Sequence, residues 1–250
     1  MRQNKLWTIK LSVLIFLSLF SVNSVYAHQP RLVENGVVTN IENPEVPQAF
    51  YGEMKGKPDI YEIDAKSSFK LYVGLLVPDV PEAKKDLSVI IKRDDEQIFY
   101  LNGINYEWKY FYEEFGNDNY WRGPETAPIG TTKEASPAGL YEIMVFSPDN
   151  TGKYSLAVGE IESFPLKEII NTVFTLPKIK SAIFDKSPFT AFFNRIGFYI
   201  FFPMLIFAAV IILIFIVIIK ILRKNINLFI NFLKRIQIFF LHNVIYNGIS

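Results

Sequence analysis

Residues 196 to 219 contain no charged side chain, and Arg195 and Lys220 close the run at its two ends. A helix of these 24 residues reaches roughly 36 Å at about 1.5 Å per residue, more than the hydrocarbon core of a bilayer that about 20 residues can cross. Gly197 and Pro203 weaken soluble helices, but both are tolerated in membrane helices because no water competes for the backbone there. The chain is therefore expected to cross a membrane once over residues 195–220. Arg195, Lys220, Arg223 and Lys224 would anchor the span at the head-group layers.

A second apolar block lies near the start. Arg2, Lys5 and Lys10 precede the short apolar stretch at residues 11–20, and Val25-Tyr26-Ala27 fits the small, any, small pattern of a cleavage site. The stretch is too short to span, so residues 1–27 are expected to be a signal peptide and His28 the first mature residue; if retained, the block would be a second anchor. Residues 28–163 hold 23 Asp and Glu against 13 Lys and Arg, a net charge of −10, whereas residues 220–250 hold five basic residues and no acid. Basic flanks stay in the cytoplasm. Both signals independently predict a single-pass protein of the cell membrane, with its N-terminal domain extracytoplasmic and its C-terminus cytoplasmic. The first partner is then the lipid bilayer, while an acidic outer domain would repel nucleic acid. The chain has no cysteine and no Asn-x-Ser/Thr sequon, a combination that suits a bacterial envelope protein.

Between residues 41 and 162, apolar side chains recur at every second position and turn residues separate the runs, so the domain is expected to be mainly β. In Phe69-Lys70-Leu71-Tyr72-Val73-Gly74-Leu75 the odd positions make one apolar face, and Tyr72 with Leu76 implies that the other face is partly covered too. Tyr141, Ile143 and Val145 alternate, Pro148-Asp149-Asn150-Thr151-Gly152 supplies turn chemistry, and Tyr154, Leu156 and Val158 alternate again, which predicts a hairpin. Two stacked antiparallel sheets bury both sets of faces. The predicted organisation is a signal peptide (1–27), an extracytoplasmic β-sandwich domain (28–163), a juxtamembrane amphipathic segment (164–194), a transmembrane helix (195–220) and a basic amphipathic cytoplasmic tail (221–250). In the juxtamembrane segment, Leu166, Ile169, Ile170, Val173, Phe174 and Leu176 follow helical spacing, Pro177 should end that helix, and Ser187-Pro188 should start the next.

Asn43-Pro44-Glu45, Gln48-Ala49-Phe50-Tyr51-Gly52-Glu53 and Asp59-Ile60-Tyr61-Glu62-Ile63 resemble the opening of bacterial pre-peptidase C-terminal domains. The glycine-aromatic strand from Gly139-Leu140-Tyr141 and the strand Gly152-Lys153-Tyr154-Ser155-Leu156 are similar to that family's close. The resemblance implies a small jelly-roll-like sandwich, usually an accessory to a secreted enzyme and sometimes linked to calcium or surface binding. This chain departs from it in lacking an attached catalytic domain and in carrying an aromatic, acidic insertion.

That insertion, residues 106–125, interleaves Trp108, Tyr110, Tyr112, Tyr120 and Trp121 with carboxylates, a mixture suited to stacking and hydrogen-bonding an envelope polysaccharide. The same aromatics can equally close one end of the sandwich. Glu113, Asn117, Asp118 and Glu125 offer oxygen donors for calcium, although their spacing is not that of an EF-hand and Gly116-Asn117-Asp118-Asn119 reads equally as a turn. No other cofactor is expected. His28 could begin a copper brace, but the second histidine, His242, lies on the cytoplasmic side. Ser/His/Asp and Cys/His machinery is impossible outside the membrane, no phosphate loop occurs, and a glycosidase pair such as Glu113 and Glu125 is the remaining enzymatic option. The expected function is a membrane-anchored, non-catalytic binding or scaffold protein, with another membrane protein as a partner, or a carbohydrate- or calcium-binding accessory module.

Overall fold

A computed structural model describes residues 28–127, 134–161, 163 and 165–247. The expected signal peptide, residues 1–27, lies outside the described residues. Eleven strands among the described residues form two sheets. The six-stranded sheet has the order β1-β3-β11-β5-β9-β8 and the five-stranded sheet the order β2-β4-β10-β6-β7. The first comprises β1 (Gln29–Leu32), β3 (Gln48–Lys55), β5 (Val73–Pro78), β8 (Lys109–Glu113), β9 (Asp118–Glu125) and β11 (Thr151–Val158). The second comprises β2 (Thr39–Asn40), β4 (Asp59–Ala65), β6 (Ser88–Arg93), β7 (Glu96–Leu101) and β10 (Gly139–Phe146). The fold is a β-sandwich. It is mixed rather than wholly antiparallel, because β1 runs parallel to β3 and β2 parallel to β4.

Alternation places Phe50, Leu75, Val77, Leu156 and Val158 of the larger sheet against Ile63, Val89, Ile91, Ile143 and Val145 of the smaller, all buried. One polar group enters this core with its partners in place. The Tyr154 hydroxyl donates to Asp59 at 2.7 Å and lies 2.7 Å from the Tyr61 hydroxyl, while Asn35 Nδ2 donates to the other Asp59 oxygen at 2.7 Å. Gly52, the cross-strand partner of Tyr154, makes room for that ring: a Cβ there would sit 2.6 Å from Tyr154 Cζ.

The predicted β10–β11 hairpin is not formed. β10 pairs with β4 and β6, β11 pairs with β3 and β5, and the turn between them carries the chain from one sheet to the other. Each strand has one apolar face, and the two faces bury each other across the core. Asn150 adopts φ +49°, and Asp149 Oδ1 accepts the Thr151 N–H at 3.1 Å, so the turn chemistry shapes this arch.

Helix α1 (Leu166–Ala182) is followed by a 3₁₀ turn (Pro188–Phe192) and helix α2 (Arg195–Asn247). Pro177 does not end α1 but lies inside it, at the loss of one main-chain hydrogen bond, because the Arg31–Glu168 ion pair before the proline and the packing of Ile179 and Ile183 after it hold the helix to the sandwich. Ser187-Pro188 opens the 3₁₀ turn, and α2 is capped instead by Asn194, whose Oδ1 accepts the Gly197 N–H at 2.7 Å. From Phe201 the chain forms a separate compact unit. Within its Phe201–Ile236 stretch an 18-residue window reaches a mean hydropathy of 3.4 with none of that window buried, so the helix is long and apolar enough to cross a membrane. The helix continues unbroken through Lys220, Arg223 and Lys224.

Candidate functional site

Period-two alternation divides the aromatic insertion. Tyr110 pairs with Trp121 at the sheet edge on the core side, whereas the neighbouring Tyr120 points to the opposite face. Trp121 is half-buried against the core. Its Nε1 donates to Asp79 at 3.0 Å, Tyr110 meets its ring edge-on at 5.5 Å, and Lys85 Nζ sits 3.8 Å from the ring centroid. Trp108 also packs against the core and donates to the Gly103 carbonyl at 2.8 Å. Tyr120 is buried, 3.1 Å from the Tyr51 hydroxyl and edge-on to Phe184. Of the five aromatic candidates, only Tyr110 and Tyr112 are exposed, and Tyr112 donates to Asn117 Oδ1 at 2.7 Å. They do not form one platform.

The four calcium candidates do not converge either. Asp118 and Glu125 stand at the two ends of β9, roughly 23 Å apart along a strand. Glu113 accepts the Phe115 N–H at 2.9 Å and the Gly116 N–H at 2.6 Å, and Glu125 accepts the Tyr72 hydroxyl at 3.0 Å. Asp118 is occupied by two ammonium groups: Lys180 at 2.5 Å on one oxygen and Lys186 at 2.9 Å on the other. Among the described residues, no group of three or more His, Cys, Asp or Glu is placed to hold a metal ion. The same separation removes the close pairing of Glu113 and Glu125 that glycoside hydrolysis requires.

The Lys180–Asp118 contact is the residue-level reason why α1 belongs to the domain. Lys180 is buried and also donates to the Gly116 carbonyl at 2.6 Å, and Asn194 Nδ2 donates to the same oxygen at 3.0 Å. At the other end of α1, Arg31 of β1 pairs with Glu168 at 2.8 Å. Ile179 packs with Tyr120, Ile183 and Phe184 on the outer face of the six-stranded sheet. Burial pulls the Lys180 ammonium below its ordinary pKa despite the Asp118 carboxylate, and burial raises the Glu113 carboxyl. Arg195 forms an ion pair with Glu114 on the same β8–β9 turn.

Between these two attachments the helix stands off the sheet. A cavity of about 370 Å³ lies there, floored by Ala49, Gly74, Ser155 and Ala157 and roofed by Thr172, Leu176 and Ile179. Ala157 is the cross-strand partner of both Ala49 and Gly74, so two methyl side chains and a glycine lie in one row across the sheet. Leu76, Phe111 and Tyr120 add apolar wall, and Arg122, Glu125, Glu113 and Lys180 stand around the margin. Sequence reasoning missed this site. Its signal is the alternation of Ser155 and Ala157 with the large Tyr154, Leu156 and Val158: one face of β11 fills space and the other leaves it.

No protein family and no curated protein matches the sequence. The resemblance to pre-peptidase C-terminal domains recurs among solved structures. That domain of a collagenase from Bacillus anthracis is similar at 11% identity over 53% of this chain and 95% of that chain, with a TM-score of 0.25. CorA, a surface-associated copper-binding protein of Methylomicrobium album BG8, is similar at 13% identity over 53% of this chain and 83% of that chain, with a TM-score of 0.16. Likeness at this level carries nothing about chemistry, which comes from the residues above.

Proposed function

We propose that this chain is a membrane-anchored, non-catalytic binding module of a bacterial envelope, with its β domain on the outer side. The observation that carries the proposal is the Phe201–Ile236 helix, uncharged as far as Ile219 and unburied by the rest of the protein, which only lipid or a partner helix can cover. The −10 charge of residues 28–163 and the five basic residues after 219 support the orientation. The non-catalytic reading is supported by the carboxylates themselves. Asp59, Glu113, Asp118 and Glu125 are engaged by hydroxyl, amide or ammonium groups rather than paired in an open cleft. The test is alkaline carbonate extraction of membranes, followed by protease treatment of intact spheroplasts. The expected result is retention in the membrane with digestion of the β domain from outside; release by carbonate, or protection of the domain, would overturn the reading.

One observation favours an interfacial seating for part of the module. Ile170 and Phe174 of α1, with Phe189 and Phe193 beyond it, remain exposed on the domain. Phe174→Trp fluorescence should be quenched by lipids brominated near the head group. Equal emission with and without brominated lipid would remove the seating and leave a protein partner as the cover for these residues.

A further inference from the structure

We infer that the cavity between α1 and the outer face of the six-stranded sheet binds the chain of a neutral, single-chain amphiphile, with its polar head hydrogen-bonded to Thr172. The inference rests on the reading of the protein as a binding module and names the ligand class. A cavity of about 150 Å³ lined by Leu, Ile and Phe accommodates benzene, so about 370 Å³ suits a longer unbranched chain. The walls provided by Leu76, Phe111, Leu176 and Ile179 fit such a chain.

Thr172 identifies the polar end. Its side chain is buried and lines the cavity, yet its hydroxyl has no hydrogen-bond partner among the described residues. A helical threonine normally satisfies its hydroxyl on the carbonyl one turn earlier, and a buried hydroxyl left alone is costly. A ligand hydroxyl or carbonyl supplies the missing partner. The lining side chains favour a neutral head over an anionic one: Glu113, Glu114, Asp118 and Glu125 outnumber Arg122 and Lys180, Lys180 is already committed to Asp118, and burial lowers the His28 imidazole to about 4, leaving it uncharged at neutral pH.

The attachment of α1 explains why the space persists. Arg31–Glu168 and Lys180–Asp118 fix the helix near its two ends, on either side of Thr172 and Leu176. Ala49 and Ala157 present only methyl groups beneath that middle stretch, while the Tyr72 hydroxyl lies over Gly74 and closes that side of the row.

The test is photolabelling of the full chain in dodecyl maltoside with a decanol bearing a terminal diazirine, with adducts mapped by mass spectrometry and decanol or decanoate as competitor. Expected are adducts on α1 and on the small-residue row, competed by decanol about ten-fold better than by decanoate. Ala157→Leu should reduce them at least ten-fold. Thr172→Val should weaken decanol competition about five-fold, the value of one neutral hydrogen bond, while leaving near-ultraviolet circular dichroism unchanged. Labelling of α2 reports insertion in the micelle and is expected in every variant, so its loss would count against the anchored module rather than the cavity. Adducts confined to α2, or α1 labelling unaltered by both substitutions, would overturn the cavity site. Competition by decanoate equal to that by decanol would overturn the neutral head. If Ala157→Leu unfolds the domain, Thr172→Val decides alone.

Discussion

The two faces of the six-stranded sheet meet different neighbours and are made differently. The inner face meets the other sheet through large, fully buried side chains, and its one polar intrusion, Asp59 with Tyr61 and Tyr154, has every partner in place. The outer face meets α1 through small residues in its middle, charged attachments toward both ends, and a hydroxyl without a partner between them. Dense packing stabilises the domain from within, whereas the outer layer holds its position by a few strong polar contacts and leaves room. The same sheet thus separates a structural interface from a candidate binding interface.

Matched truncations test that contrast most strongly. Leu156→Ala, in the inner core, is expected to cost about 4 kcal/mol of stability. Leu176→Ala, beside the cavity, should cost about 2 kcal/mol, the low end for such a truncation, because its surroundings already border empty space. The check is chemical denaturation of the detergent-solubilised chain followed by tryptophan emission; equal losses would erase the difference between the faces. Next in size is Lys180→Ala, which strands part of the Asp118 charge beneath α1 and is expected to cost about 3 kcal/mol. Lys66→Ala, which removes an exposed pair with Asp64, should change stability by less than about 0.5 kcal/mol.

A smaller effect depends on pH. Burial raises the Glu113 pKa above its ordinary 4.5, so the stability linked to its protonated form is fully present below that value and lost as pH rises through the folded value. Relative to wild type, Glu113→Gln should therefore gain thermal midpoint as the pH is raised above 4.5. A pH-independent difference would show that the carboxyl is not held high. Tyr110→Ala is likewise expected to have a small effect, about 0.5 kcal/mol, since that exposed ring contributes one edge-on contact with Trp121. A loss as large as that of Leu156→Ala would mean that the edge of the sheet is part of the core.

The strands were legible because alternation is a local consequence of the pleat, and the apolar helix because its length alone decides the matter. The partner of each strand was not legible. Tyr141 to Val145 and Tyr154 to Val158 present the same pattern whether they pair with each other or face each other across a core. A lysine on a helix reads as a solvated face, and nothing near Lys180 in the chain announces Asp118, 62 residues earlier. Trp108 and Trp121 were legible as important aromatics, but their seating against the core depends on contacts such as Asp79 and Gly103 that only the fold supplies. Thr172 is inconspicuous in sequence; it is the surrounding burial that makes its hydroxyl informative.

The arch between β10 and β11 also dictates when folding can finish. β11 lies between β3 and β5, and β10 between β4 and β6, so the last two strands to be synthesised are inserted into the interiors of both sheets. Earlier strands can pair only at their other edges until residue 158 has been made. Nucleation must then close long loops, which slows folding. The acquisition of native structure is thus timed to the end of the domain, when the segments that lead to the apolar helix are the next to emerge.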